Sequence, residues 1–280
     1  MNHSEGTLTG YEGLELYTQH WLPEGEARAV LAIVHGFGEH SGRYGNVVNW
    51  FVSEGYAAYA FDLRGCGRSP GQRGHINSFA EFREDVRAFL QWVASQEPDK
   101  PLFLLGHSQG GLIVLDYVLH YPQGLAGVIA SGPALGGLPI SPLLLGLARL
   151  LSSIWPGLTM DSKLDATAIS RNPAVVETYV NDPLVHSLGT PRLATELLQA
   201  MEWVQAHAAE MKLPCLIVHG GADRLALPEA SRIFYEQMTI ADKARHEYEG
   251  YYHEVFNDIG KERVLGDVEA WLEQHVKRET

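Results

Sequence analysis

Between residues 27 and 221 the chain reads as short, unbroken apolar runs separated by longer amphipathic stretches. The runs "ARAVLAIVHG" (27–36), "YAAYAFDLRG" (56–65), "PLFLLGH" (101–107), "LAGVIASG" (125–132) and "PCLIVHGG" (214–221) do not alternate apolar with polar, and each ends at or beside a glycine. A run that is apolar at every position suits a strand buried on both faces. That predicts an α/β fold, a mostly parallel sheet flanked by helices. "YEGLELYTQHWLP" (11–23) does alternate and so predicts a half-exposed edge strand. "ARHEYEG" is a later candidate strand, and 260–276 carries a final helix pattern. A helix over 79–96 is introduced by Ser78 and Glu81, in the S-x-x-E spacing of a capping box.

One interval breaks the rhythm. From Gly132 to Pro214 the chain runs roughly eighty residues, where a strand-to-strand crossover needs about a dozen. This predicts a core of residues 1–135 and 212–280 and a cap of residues 136–211. The cap begins with "PISPLLLGLARLLSSIWPGL" (139–158), apolar around most of a helix circumference, with Arg149 its only charge. Such a helix is buried or touches lipid. At about fifteen residues it is too short to span a bilayer. Two readings follow: a lid packed on the core, or a lid that also lines an acyl channel and rests on a membrane or micelle. Asn172-Pro173 and Thr190-Pro191 each read as an N-cap followed by proline at the first helical position.

The candidate chemistry lies at "GHSQG" (106–110), a G-x-S-x-G turn between the run "PLFLL" and the helix pattern "GGLIVLDYVLHYP". "GRSPG" (67–71) fits the same pattern but follows a polar turn and precedes a breaker-rich stretch. Its Pro70 also lacks the backbone N–H that the residue after a nucleophile supplies to a developing oxyanion. Ser108 is therefore the candidate nucleophile and Gln109 one candidate oxyanion donor. Phe37, in the glycine-flanked turn "HGFGEH", is the other. A serine hydroxyl needs an imidazole to take its proton and a carboxylate to orient that imidazole. Asp223 is the first carboxylate after the run ending at Gly221, and His253 lies in the loop before the last helix. These are the candidate acid and base, with Asp242 and Asp258 as substitute acids. His219 and His246 sit within strand patterns and read as structural. His35 reads as an anchor of its turn, and His107 as pointing away from substrate.

Composition narrows the field. A net charge of −13 over 280 residues repels nucleic acid, and no basic run offsets it. Cys66 and Cys215 lack the spacing of a disulfide framework or a zinc site and read as reduced, buried thiols. No metal or cofactor is expected. The first residues show no basic segment followed by an apolar one, so a cytoplasmic location, peripheral to membranes at most, is expected.

Several stretches together resemble the monoacylglycerol lipase and lysophospholipase-like branch of the α/β-hydrolases: "HGFGEHSGRY" (35–44), "FDLRGCGRSPGQRG" (61–74), "FLLGHSQGG" (103–111), "SRNPAVVETYVNDPL" (170–184), "GGADRLALP" (220–228) and "YEGYYHEVFND" (248–258). The resemblance implies an α/β-hydrolase core with a helical cap inserted after the sixth strand. It implies a tunnel for one acyl chain, a lipid ester substrate and hydrolysis of monoacylglycerols to glycerol and free acid. Ser108, Asp223 and His253 match its triad, and Phe37 and Gln109 its oxyanion donors. Glu39, Arg43 and Tyr179 match polar positions near the glycerol head. Two positions depart from it: Phe256 stands where animal members carry a second histidine, and Gln109 where many carry methionine. A lysophospholipase, a general medium- to long-chain carboxylesterase and, more remotely, a non-catalytic binding protein of the same fold are the alternatives.

Overall fold

The computed structural model describes residues 1–136 and 142–276; residues 137–141 of the expected lid segment and 277–280 of the expected core lie outside the described residues. In chain order the core comprises β1 (Asn2–Thr9), β2 (Glu15–Leu22), β3 (Ala29–Val34), α1 (Gly45–Ser53), β4 (Tyr56–Phe61), α2 (Ala80–Gln96), β5 (Leu102–His107), α3 (Gln109–His120) and β6 (Gly127–Ser131). An inserted segment follows with α4 (Pro142–Ile154), β7 (Met160–Asp161), α5 (Pro173–Asn181), β8 (Leu188–Gly189) and α6 (Pro191–Ala206). The core resumes with β9 (Cys215–Gly220), α7 (Pro228–Gln237), β10 (Lys243–Tyr248) and α8 (Lys261–Val276).

Eight strands form one sheet in the order β1-β2-β4-β3-β5-β6-β9-β10. β2 pairs antiparallel with β1 and β4, and every later pairing is parallel. The unbroken apolar runs arise because both faces are covered. Along β3, Val30, Ala32 and Val34 enter a core with Phe89 of α2, Ile113 of α3 and Phe234 of α7. Ala29, Leu31 and Ile33 enter the opposite core with Phe51 of α1 and Leu272 of α8. Each large side chain so buried stabilises the fold by about 1.5–3 kcal/mol.

The inserted segment starts after the sixth strand. The two expected caps form: Asn172 accepts from the Ala174 N–H at 3.1 Å and Thr190 from the Leu193 N–H at 3.2 Å, with Pro173 and Pro191 opening α5 and α6. One side of α4 meets α6, where Ser152 and Thr195 hydroxyls lie 2.9 Å apart.

Two local expectations are corrected. The strand expected at the sheet edge is second from it. β1 covers that edge, and of its eight residues only Leu8 is buried, so its sequence has no apolar alternation to read. The capping box at Ser78 and Glu81 does not close either. Ser78 accepts from the Ala80 N–H, while Glu81 accepts from Asn77 and pairs with Arg64 at 2.8 Å. Arg64 also binds Asp85, so the Glu81 carboxylate is shared between this partly buried guanidinium and Asn77, one residue before the expected partner Ser78.

Candidate active site

β5 ends, the chain turns through Ser108, and α3 begins at once. Ser108 takes φ 56° and ψ −118°, a conformation that side-chain-bearing residues rarely adopt. The turn is tight enough to demand glycine around it. A Cβ on Gly106 would collide with the Gly110 carbonyl, and one on Gly110 with the carbonyls of Val34 and His35. The hydroxyl is thereby held above the carboxyl ends of the parallel strands, where α/β sheets present their ligand sites.

Asp223 follows β9 and His253 follows β10, and the fold brings both to Ser108. His253 Nε2 lies 2.8 Å from Ser108 Oγ and accepts its proton, while Nδ1–H donates to Asp223 Oδ2 at 2.7 Å. The other Asp223 oxygen accepts the N–H groups of Leu225 and Ala226 at 2.8 and 3.0 Å. Burial opposes ionisation of Asp223, yet the hydrogen bonds from His219 and His253 hold it far below the usual carboxylate range. Burial likewise opposes an imidazolium at His253, but Asp223 outweighs it and leaves the pKa raised.

Gln109 opens α3, so its N–H has no acceptor within the helix. Phe37 follows β3 and lines the cavities around Ser108. A Cβ on the preceding Gly36 would lie 3.1 Å from Ser108 Cβ, which measures how close this loop runs to the hydroxyl. His35 secures the loop by donating from Nδ1 to the Gly36 carbonyl at 2.8 Å and accepting the Leu63 N–H on Nε2 at 2.9 Å.

Two chambers meet at Ser108, Phe37 and His253. One, of about 510 Å³, is walled by Leu164, Leu193, Ala194, Leu197 and Leu225, with Lys163, Asp165 and Arg224 also along its wall. The other, about 30 Å³, is the more polar of the two, lined by Glu39, Arg43, Tyr179 and Glu254 together with Leu164, Ile169 and Leu225. Arg43 pairs with Glu39 and grips Glu254 through two bonds of 2.8 Å. The Tyr179 ring on α5 lies 4.6 Å from the Arg43 guanidinium carbon. Burial opposes ionisation of Glu39, but Arg43 pulls its pKa down to about 2. Such a set can raise a nucleophile, hold an apolar chain on one side and a small polar group on the other.

A family model described as "Serine aminopeptidase, S33" matches residues 25–260. A monoacylglycerol lipase of Mycolicibacterium smegmatis is 38% identical over 98% of each chain. This chain belongs to that family, in its monoacylglycerol lipase branch. A monoacylglycerol lipase structure from Paleococcus ferrophilus superposes with a TM-score of 0.86 at 37% identity, covering 94% of this chain and all of that one. The Bacillus subtilis phospholipase YtpA is 34% identical over 89% of this chain and 96% of its own length.

Within this S33 fold the remaining sequence candidates separate. Ser69 accepts the Tyr17 N–H and donates to the Asp62 carbonyl, a buried loop anchor. Asp258 binds Arg171 and the Tyr252 N–H at 2.8 Å each and so braces the loop of His253, while Asp242 pairs with His275 and His246 is exposed on β10. Both cysteines are free, and burial pushes their thiols up to about 12. His107 is a correction. Its ring packs on His253 with centroids 4.7 Å apart and borders the polar chamber, because Ser131 fixes it there at 3.1 Å. His219, read as structural from the sequence, places Nε2 3.2 Å from Asp223, and Glu254, which the sequence did not single out, pairs with Arg43. Their only signals were adjacency, one four residues before the acid and the other next to the base.

Proposed function

We propose that this chain hydrolyses monoacylglycerols to glycerol and a free fatty acid through an acyl-enzyme. Ser108 Oγ attacks the ester carbonyl carbon as its proton passes to His253 Nε2, and the N–H groups of Phe37 and Gln109 hold the oxyanion. Asp223 stabilises the imidazolium. On collapse, His253 gives its proton to the departing alcohol. A water then yields a proton to His253 as its oxygen attacks the acyl carbon, and Ser108 leaves with that proton as the acid is released. The observation that carries the reading is the hydroxyl of Ser108, bonded to His253 at 2.8 Å, at the meeting of a large apolar chamber and a small polar one. On this reading the acyl chain lies in the first and the glycerol leaving group is directed toward the second, with Glu39, Arg43 and Tyr179 around the head group.

Residues 136–211 then act as a cap over the acyl chamber. Leu147, Leu150, Ile154 and Trp155 on and after α4 are exposed, and we infer that this face rests on the micelle or membrane that carries the substrate. No helix among the described residues is long and apolar enough to cross a membrane.

The test is product analysis over monoacylglycerols, diacylglycerols, triacylglycerols and lysophosphatidylcholine, with a fluorophosphonate probe on wild type and Ser108→Ala. Release of glycerol with labelling lost in the variant supports the reading. Equal labelling of both proteins rejects Ser108. Preferential turnover of lysophosphatidylcholine favours the phospholipase reading that the Bacillus relative raises.

A further inference from the structure

The polar chamber contains an unbalanced charge. Glu39 Oε1 accepts the Gly36 N–H at 2.6 Å and the Tyr44 hydroxyl at 2.9 Å, and Oε2 accepts from Arg43. Glu254 Oε1 and Oε2 each accept from Arg43 at 2.8 Å, and Oε2 accepts also from Asn257 at 2.9 Å. Every carboxylate oxygen faces a donor. Two carboxylates and one guanidinium sum to one negative charge. Side-chain exposures of 9% for Arg43, 5% for Glu39 and 6% for Glu254 leave little water to screen it. Among the described residues lining this chamber Arg43 is the only Lys or Arg. His107, which also faces it, is lowered to about 3, by burial first and then by His253, and adds no charge at neutral pH.

A free guanidinium fork is the group that reads phosphate through two parallel bonds. Here the terminal fork of Arg43 holds Glu254, and Nη1 also holds Glu39, so three of its five N–H donors are committed to carboxylates. Among the carboxylate oxygens, one lone pair on Glu254 Oε1 and one on Glu39 Oε2 are left to accept, which suit hydroxyl donors. We propose that Glu254 sets leaving-group selectivity: it engages the terminal fork of Arg43 and, with Glu39, leaves the chamber negative, so the site accepts uncharged, hydroxyl-bearing alcohols and rejects alcohols that carry phosphate. This rests on the assignment of the polar chamber to the leaving alcohol.

The test compares kcat/KM for 1-lauroylglycerol and 1-lauroylglycerol-3-phosphate in wild type and Glu254→Gln, which changes charge at constant size. A second pair, laurate esters of 4-nitrophenol and 3-carboxy-4-nitrophenol, reads leaving-group charge without glycerol. Wild type is expected to favour the neutral member of both pairs by roughly 10- to 100-fold, and the variant to lose most of that preference, as one unit charge a few ångströms away implies. A wild type indifferent to charge in the nitrophenyl pair overturns the proposal without any variant. A preference unchanged by Glu254→Gln overturns it too, because size alone then selects. If 1-lauroylglycerol is not a substrate while the nitrophenyl preference stands and falls with Glu254, the monoacylglycerol reading fails and the charge assignment holds.

Discussion

His219 Nε2 lies 3.2 Å from Asp223 Oδ2, the same oxygen that accepts from His253. His219 is fully buried at the end of β9, its Nε2 2.8 Å from the Ala226 carbonyl and its Nδ1 2.9 Å from Ser231. It is therefore placed to orient the acid. Hydrogen bonds to charged groups are worth about 1.5–3 kcal/mol, so His219→Ala is expected to lower kcat roughly 10- to 100-fold with little change in KM. Losing this donor makes Asp223 a stronger partner for His253 and moves the acidic limb of the rate profile to higher pH. Glutamine at 219, which keeps an N–H donor, should recover part of the rate. An unchanged kcat in the alanine variant excludes the role.

The pH dependence of wild type follows from His253. It must be neutral to take the Ser108 proton, and its pKa is raised: burial opposes that, but Asp223 prevails. The active fraction is full above the raised value and declines as pH falls through it. The acidic limb of kcat/KM is accordingly expected to have its midpoint above 6.5, and a midpoint at or below the ordinary histidine value contradicts the pairing. His107, lowered to about 3 chiefly by burial, does not titrate in that window.

Backbone strain at Ser108 is measurable as stability. Ser108 at φ 56° costs about 1–3 kcal/mol, whereas glycine adopts that conformation freely at some entropic cost in the unfolded chain. Ser108→Gly is expected to be inactive yet more stable by about 1 kcal/mol, seen as a higher melting temperature. A lower Tm than wild type would show that the turn stores no strain.

The 510 Å³ chamber makes a prediction about chain length. Ala194 on α6 lies on its wall, and tryptophan there displaces several methylenes at about 0.8 kcal/mol each. Ala194→Trp should reduce kcat/KM for p-nitrophenyl laurate roughly 100-fold and leave the acetate ester within about threefold. In wild type, activity falling steadily from acetate to laurate would rule out the acyl assignment.

Ile154 and Trp155 are 72% and 62% exposed. Replacing both with serine removes two apolar groups of about 1.5–3 kcal/mol each, so co-sedimentation with lipid vesicles is expected to drop at least about tenfold. Hydrolysis of p-nitrophenyl acetate serves as the control. Undiminished vesicle binding points to another face.

The sequence by itself determined the layered α/β core, the serine turn and the N-caps of α5 and α6. Each has a local cause: a strand covered on both faces is apolar at every residue, a sharp turn demands glycine, and a helix start needs an acceptor within three residues. The placement of Asp223 and His253 after strand ends was legible for the same reason. Only the tertiary structure decided the rest. β1 became the edge although nearly all its residues are polar or exposed, because its ladder bonds to β2 do not depend on side-chain pattern. Glu81 met Arg64 and Asn77 in place of Ser78, and Arg43 met Glu254 across a sequence separation of 211. Contacts at that range leave no periodic trace in the chain, because they exist only once packing has excluded water and made each buried charge seek a partner.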